Sequence, residues 1–533
     1  MGVKIVETSN RYDCIFIGSG IGSLTAASLL AQYKNKKILI IEKHFKAGGF
    51  THSFRRLQKF FWDVGIHYIG NLEEESFTRK IFDTITGGKV HWQKMEEPFE
   101  KFVYPDFTFS VYGNREKYIS DLVNLFPEEK SSIEKYFLDV KKVAGHFGKN
   151  MMLKLAPPFL DSFFNLFESK DSIQTTKDYM DSHFKDPKLK SLLVSQWGDY
   201  GLPPSLSSFA IHSLIVEHYI NGGYYPVGGA GKIVESIEPI ILEKGGEILL
   251  SHEVTEILCK DGKVTGVRVK NLHTREEDNT KEFYSDIVMS NAGAYNTYIK
   301  LIPDSVEITF REDLIKFMKD SPNLACVTLY LGFSEDPRKL GFKGENYWIF
   351  SNYDHDKNFS NRKSWVESKD VTGLYLSFPS LKDPESKTHT AEIIAFCDYE
   401  SFEKWKDQPW KKRDEDYQKL KKEISESLLN YVEKIFPGFN DLIEFSELST
   451  PITNEHFTGH FQGNIYGIPC VPERFHKGKS PWCNIKTPIE GLYLVGADAS
   501  SPGVTGAMMG GMAAALTQMD GLNIFRILAG KKK

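Results

Sequence analysis

Six residues, Gly18-Ser19-Gly20-Ile21-Gly22-Ser23, constrain the fold of this chain more than any others. They lie between a short apolar run, Asp13 to Gly18, and a segment from Leu24 to Tyr33 with helical spacing. A second apolar run, Ile38 to Ile41, follows directly. Strand, glycine turn, helix and strand in that order predict a parallel pair with a right-handed crossover helix. Glycines at such a turn let backbone N–H groups approach a pyrophosphate at the helix N-terminus. Glu42 ends the second run, 24 positions after Gly18, where a carboxylate accepts both hydroxyls of an adenosine ribose. The third glycine of G-x-G-x-x-G would fall at position 23, and Ser23 stands there. A slight loosening of helix against strand is expected, with the phosphate turn at Gly18 and Gly20 intact. Gly22, Ser23 and Lys43 complete this end of the candidate dinucleotide site.

The opening pattern returns at the far end of the chain. Gly491 to Gly496 reads as a strand and Gly503 to Met519 as a helix with a glycine-rich start. Lys46-Ala47-Gly48-Gly49 follows Glu42, while Gly496-Ala497-Asp498 and Gly503-Val504-Thr505-Gly506-Ala507 lie more than 450 residues later. Together they form a second site of phosphate and ribityl size. A second helix N-terminus suits a pyrophosphate or the N1–C2=O edge of a flavin, which favours FAD over NAD. Gly228-Gly229-Ala230-Gly231 has no buried strand before it and reads as the start of a helix, Lys232 to Leu242. A dedicated NAD(P)H domain is not expected; NAD(P)H remains a candidate transient electron donor, beside a reductase or a quinone. The expected organisation is an α/β Rossmann-type FAD-binding domain of residues 1–90, 222–295 and 465–533. An inserted α+β substrate domain takes 91–221 and 296–464.

Within the insert, strands are expected at Ala325 to Gly332, Gly373 to Phe378 and Glu392 to Tyr399, in a largely antiparallel sheet. Asp261-Gly262 between two alternating segments, Glu247 to Lys270, signals a hairpin, and Asp286 to Ser290 another strand. Asp414 to Phe436 keeps helical spacing, its charges forming a solvated face. The 66 Lys and Arg against 71 Asp and Glu give a net charge of −5, which leaves no basic surplus for a nucleic-acid backbone. Six scattered cysteines without metal-ligand spacing indicate a reduced, cytoplasmic protein, and no metal is expected. Met1 to Asn10 lacks the pattern of a secretory signal. Ala499 to Met519 is uncharged but small-residue-rich, and a buried helix is the better reading than a membrane span. The chain holds 38 phenylalanines, and four of them crowd into Met151 to Phe167 with two prolines. That segment either covers a hydrophobic tunnel, touches a membrane peripherally, or packs as ordinary core.

These motifs resemble a known family. The head glycines, Asp63-Val64-Gly65-Ile66-His67-Tyr68-Ile69-Gly70, Gly222-Gly223-Tyr224-Tyr225-Pro226-Val227-Gly228-Gly229, Ser290-Asn291-Ala292-Gly293 and Gly496-Ala497-Asp498 look like the phytoene desaturase and carotenoid isomerase superfamily. Gly65 to Gly70 points to its saturase branch, and the likeness runs along nearly the whole chain. The resemblance implies FAD in a glutathione reductase/amine oxidase-like domain and a hydrophobic isoprenoid or polyene as substrate. It also implies that Gly18, Gly20, Glu42, Gly48 and Gly49 touch adenosine and pyrophosphate. Val254 matches the strand that meets the adenine, and Asp498 and Val504 match the flavin-side tail.

The implied reaction is retinol-saturase-type reduction of a C=C bond in a retinoid- or carotenoid-like polyene. Two enzymatic alternatives are redox-neutral cis–trans isomerisation and desaturation; a flavin-free prenyl carrier of the GDP-dissociation-inhibitor type is the alternative from another class. Reduction needs hydride at one carbon and a proton at the other. Candidate proton donors are His67, Tyr68, His218 and Tyr225, with His212, Glu217 and Tyr219 behind them. His67 and Tyr68 rank first because they follow a glycine soon after the FAD head, in a motif the family keeps.

Overall fold

A computed structural model describes residues 10–153, 173–274, 279–476, 478–519 and 523–528. Its first sheet is five-stranded and all parallel, in the order Glu247–Leu249, Ile38–Ile41, Cys14–Ile17, Val288–Ser290, Leu492–Leu494. Both chain ends therefore meet in one sheet. The two innermost runs, Cys14–Ile17 and Ile38–Ile41, are buried at every position, as a parallel strand covered on both faces requires. Asp261 and Gly262 turn at φ 50° and 75°, joining His252–Lys260 to Lys263–Asn271 as an antiparallel hairpin. The segment read from Glu247 as one hairpin arm is in fact two elements. Its first three residues pair in parallel with Ile38–Ile41, and only then does the hairpin begin.

The helix Ile21–Lys34 crosses the helix Gly503–Leu516 at glycines. A β-carbon on Gly22 would lie 2.5 Å from the Gly496 Cα, and one on Gly511 would overlap the Gly22 carbonyl oxygen. The close approach expected at position 23 is thus met one residue earlier. Ser23 is fully buried instead, its hydroxyl without a hydrogen-bond partner among the described residues. Gly511→Ala sets a steric overlap of about 1–3 kcal/mol against a helix-propensity gain of ~1 kcal/mol. A lower melting temperature is expected for Gly511→Ala. For Ser23→Gly almost no change is expected, because loss of an unpartnered buried hydroxyl offsets the poor helix propensity of glycine. Thermal unfolding of the two variants checks the pair, and a Gly511→Ala as stable as the parent would refute the crossing.

The second large sheet has seven strands in the order Ile443–Ser449, Ala325–Phe333, His389–Cys397, Gly373–Ser377, Asn346–Phe350, Glu100–Tyr104, Phe107–Val111. It is antiparallel apart from the pairing of Asn346–Phe350 with Glu100–Tyr104. The helix Glu415–Ile435, capped by the Asp414 side chain, buries Tyr417, Ile424, Leu428 and Val432 and leaves its charges outward. A three-stranded sheet sets Ile69–Gly70 and Trp92–Lys94 on either side of Gly223–Pro226, so two motifs far apart in sequence become neighbours. Residues 296–318 depart from the expected domain division. Tyr298, Leu301, Phe310, Leu314 and Met318 pack into the core of the parallel-sheet unit, because Asn296–Leu301 follows directly from that sheet's fourth strand. The apolar segment 151–167 lies outside the described residues from position 154 onward. Among the described residues no helix is long and apolar enough to cross a membrane, no cluster of metal-ligating side chains occurs, and no disulfide joins the cysteines.

Candidate active site

One cavity of about 1770 Å³ runs from the glycine turns into the antiparallel unit. Ligand pockets usually hold ~300–1,000 Å³, so this volume has room for a dinucleotide and a second large molecule. Gly18, Gly20, Glu42, Lys43, Gly48, Gly49, Val254, Asp498 and Val504 line it; Gly22 and Ser23 lie behind that surface.

Two helix N-termini open on the cavity uncapped. Ile21–Lys34 and Gly503–Leu516 both begin without a side-chain cap and without an acidic residue in the first turn. Their free N–H groups and positive dipole ends remain available for phosphate or carbonyl oxygens. The Thr505 hydroxyl, on the cavity wall, is buried with no partner among the described residues. Glu42 fixes the turn geometry. Its Oε2 accepts the Ser19 N–H at 2.8 Å and the Ser19 hydroxyl at 2.6 Å, and its Oε1 accepts the His44 N–H at 2.7 Å. Ser19 Oγ in turn accepts the Gly48 N–H at 2.9 Å, which ties the first glycine turn to the Gly48-Gly49 loop. Asp498 brackets the opposite side, accepting the Ala294 N–H at 2.7 Å and the Ile468 N–H at 2.8 Å. Lys43 pairs with Glu253 at 3.0 Å beside Val254. Open helix termini and an unpartnered hydroxyl as donors, with a fixed carboxylate as acceptor, fit the phosphates and ribose of a flavin dinucleotide.

Beyond that site, His67, Tyr68, Glu217, His218 and Tyr219 line the cavity, whereas His212 and Tyr225 do not. Tyr225 donates to Asp63, whose other oxygen accepts the Ser53 hydroxyl and the Ala230 N–H, so its phenol braces a loop away from the cavity. His212 is held between the hydroxyls of Tyr136 and Tyr200 at 2.7 and 3.2 Å, and burial pushes its pKa down to about 3. His218 Nε2 accepts the Gly70 N–H at 2.9 Å, and burial lowers its pKa to about 4. It is a neutral acceptor, unsuited to giving up a proton at that atom. Glu217 pairs with Arg115, and Tyr219 stacks on Tyr68 with ring centroids 4.1 Å apart. His67 Nδ1 sits 3.0 Å from Glu392 Oε2 without the alignment of a hydrogen bond.

Tyr68 has the most pointed geometry. Its hydroxyl lies 2.8 Å from Glu100 Oε1 and 2.8 Å from Asp199 Oδ2. A phenol has one proton to donate, so one of the two carboxyls must donate back to it. Glu100 is filled as an acceptor: Oε1 also takes the Trp348 indole N–H and Oε2 the Gln196 amide N–H, both at 2.6 Å. The pair therefore holds at least one proton, and Asp199, which takes no other hydrogen bond among the described residues, is the freer of the two to carry it. Burial pushes Asp199 up to about 7 and Glu100 well above the usual carboxylate range, with the Asp199 charge adding to the rise at Glu100. Asp199 lines the cavity while Glu100 is fully buried behind it. Sequence reading found Tyr68 but neither acid. Glu100 had a signal, because it shares the inward phase of its strand with Phe102 and Tyr104. Asp199, at the end of a short 3₁₀ turn, had none.

Residues 17–84 match the family model described as an NAD(P)-binding Rossmann-like domain. The chain is 34% identical over 524 residues to an all-trans-retinol 13,14-reductase of Danio rerio, covering 94% of this chain and 84% of that protein. A chloroplastic prolycopene isomerase of an Oncidium hybrid cultivar is 26% identical over 512 residues, covering 93% and 82%. Among solved structures, cyclohexylamine oxidase from Brevibacterium oxydans superposes with a TM-score of 0.59 at 14% identity, covering 97% of this chain and 99% of that one, a likeness of fold. With its glycine turns, its two-unit architecture and this near-full-length identity, the chain belongs to the all-trans-retinol 13,14-reductase family, within the wider phytoene desaturase and carotenoid isomerase group.

Proposed function

We propose that this protein is an FAD-dependent reductase that saturates a C=C bond of a hydrophobic retinoid- or carotenoid-like polyene. The observation that carries the reading is a buried pair of acids bridged by the Tyr68 hydroxyl, one of which, Asp199, lines the same cavity as the candidate dinucleotide site. FAD, when bound, supplies the hydride chemistry. Gly18, Gly20, Glu42, Gly48 and Gly49 would hold its adenosine and pyrophosphate, and Val504 with Asp498 its flavin side. The chain's own part is proton delivery. Asp199, the cavity-facing member of the acid pair, gives a proton to the polyene carbon opposite the one that receives hydride, and the Tyr68 hydroxyl turns its single O–H from Glu100 to the carboxylate left behind. The aromatic walls, including Trp348, Tyr375 and Phe396, exclude water from the reacting bond.

The same acid supports a second reading, since transient protonation of a polyene weakens its double bonds enough for cis–trans isomerisation, and the relatives include a prolycopene isomerase. Product mass separates the two. FAD-loaded, chemically reduced protein incubated anaerobically with all-trans-retinol is expected to yield a product heavier by two hydrogens. An isomer of unchanged mass from a cis-carotene would replace reduction by isomerisation, and failure to retain any flavin would leave the carrier reading. The electron donor we assign to NAD(P)H docking transiently at the flavin, in keeping with the single glycine-turn dinucleotide site; a peripheral membrane is the proposed source of the polyene.

A further inference from the structure

The cavity has a cationic corner that neither the flavin site nor the proton array uses. Arg413, just ahead of the helix Glu415–Ile435, and Lys421 within it both line the cavity and flank one aromatic ring. The Arg413 guanidinium carbon lies 5.1 Å from the Tyr417 ring centroid and Lys421 Nζ lies 5.8 Å from it. Arg413 is 8% exposed; its Nη1 donates to the Tyr417 hydroxyl at 3.3 Å, its Nη2 to the Ile452 carbonyl at 3.4 Å, and its Nε to nothing among the described residues. No carboxylate among the described residues pairs with either cation. Glu447, whose field reaches Lys421, is engaged by both Nε and Nη2 of Arg56. Burial lowers the Lys421 pKa and the neighbouring Arg413 charge lowers it further, against the pull of Glu447. Two neighbouring cations, one of them buried, are costly to hold without a counter-charge. Lys411, over the Trp410 ring at 4.4 Å, adds a third on the same wall.

We propose that Arg413 and Lys421, with Lys411 at the rim, form an anion-binding subsite for the carboxylate or phosphate of a ligand that enters this cavity. A planar guanidinium whose Nη groups hold only long hydrogen bonds of 3.3 and 3.4 Å, next to a half-buried lysine, is suited to an oxyanion. Two ligands can bring that chemistry: an amphiphilic polyene with an anionic head and its apolar body in the cavity, or the adenosine phosphate of a nicotinamide dinucleotide docked as electron donor. The inference deepens the polyene-reductase reading and rests on it for what fills the apolar part.

Binding without turnover tests the subsite apart from the reaction. FAD-loaded protein and its Arg413→Gln and Lys421→Gln variants are titrated with all-trans-retinoate, all-trans-retinol, NADPH and NADH, following tryptophan fluorescence. Both variants are expected to lose about tenfold or more in retinoate affinity while holding retinol as the parent does. A loss confined to NADPH, with NADH and retinoate unchanged, supports the same subsite with the donor's phosphate as its occupant. Lys421→Gln guards against misfolding, because Lys421 is only half-buried and bonds to no backbone group among the described residues. Unchanged retinoate and NADPH binding in a folded Lys421→Gln overturns the proposal, and so does an equal loss for retinol. Reduced flavin content in either variant would assign the cations to the FAD site instead. A parent protein that reduces retinol but binds retinoate no better than retinol and NADPH no better than NADH would sink the subsite and leave the reductase standing.

Discussion

Asp199→Asn is expected to slow polyene reduction by roughly 10²–10⁴-fold, the usual contribution of a positioned general acid, with flavin content unchanged. Asparagine keeps the shape, and its amide can still donate to the Tyr68 hydroxyl, so the array with Glu100, Trp348 and Gln196 stays bonded. What is lost is a transferable proton. The pH dependence follows with a definite sign. Protonation needs the acid form of Asp199, raised to about 7, so the parent rate is expected to be flat at low pH and to fall about tenfold per unit above 7. Asp199→Asn loses that limb. Stability falls with pH as well: a carboxyl whose folded pKa lies above its unfolded value is neutral at no cost in acid, and it destabilises the fold progressively from its unfolded pKa of ~4 up to about 7, where the loss levels off. Above that pH the Asn variant is expected to melt higher than the parent, a gain that simple damage to the site would not produce. His67, beside Glu392, is the rival donor. A rate within threefold of the parent for Asp199→Asn, with His67→Gln inactive, would transfer the role.

Comparison of the two acids shows what the sequence could and could not convey. The parallel core was legible because a strand covered on both faces must be apolar throughout and a phosphate turn must be glycine, so Cys14–Ile17, Gly18, Gly20 and Glu42 stand out locally. The hairpin at Asp261-Gly262 was legible for the same reason, since two successive positive φ angles leave few residue choices. The edge strand Ile443–Ser449 escaped notice because Glu444, Ser446 and Glu447 break its apolar run, whereas Phe107–Val111, F-T-F-S-V, keeps a strict alternation that was legible. At the active site, residue type pointed to His212, His218 and Tyr225 as readily as to Tyr68. What separates them is which side chain reaches the cavity and which has its polar atom consumed by a backbone group or a neighbouring carboxylate. That information lies in tertiary packing. Asp199 depends on the same packing, as a loop acid becomes a general acid only when Tyr68 and Glu100 close behind it.

Glu42→Ala is expected to weaken FAD binding by roughly 10–150-fold, the equivalent of about 1.5–3 kcal/mol for losing hydrogen bonds to a charged group. Two losses contribute. A carboxylate that is only 8% exposed offers its remaining lone pairs to the ribose hydroxyls, and alanine offers nothing in their place. The same carboxylate also holds Ser19 by two hydrogen bonds, and Ser19 holds Gly48, so both glycine loops are set in position before the dinucleotide arrives. Ser19→Ala separates the contributions, since it cuts the link to Gly48 and leaves Glu42 facing the ribose. If preorganisation dominates, Ser19→Ala should approach the effect of Glu42→Ala; if ribose recognition dominates, it should fall well short. Titration of apoprotein with FAD, followed by flavin fluorescence, reads the affinities, and melting of the apoproteins reads the loop contribution alone. Parental FAD affinity in Glu42→Ala would remove the ribose from this position and, with it, the assignment of the cavity's glycine-lined end to adenosine.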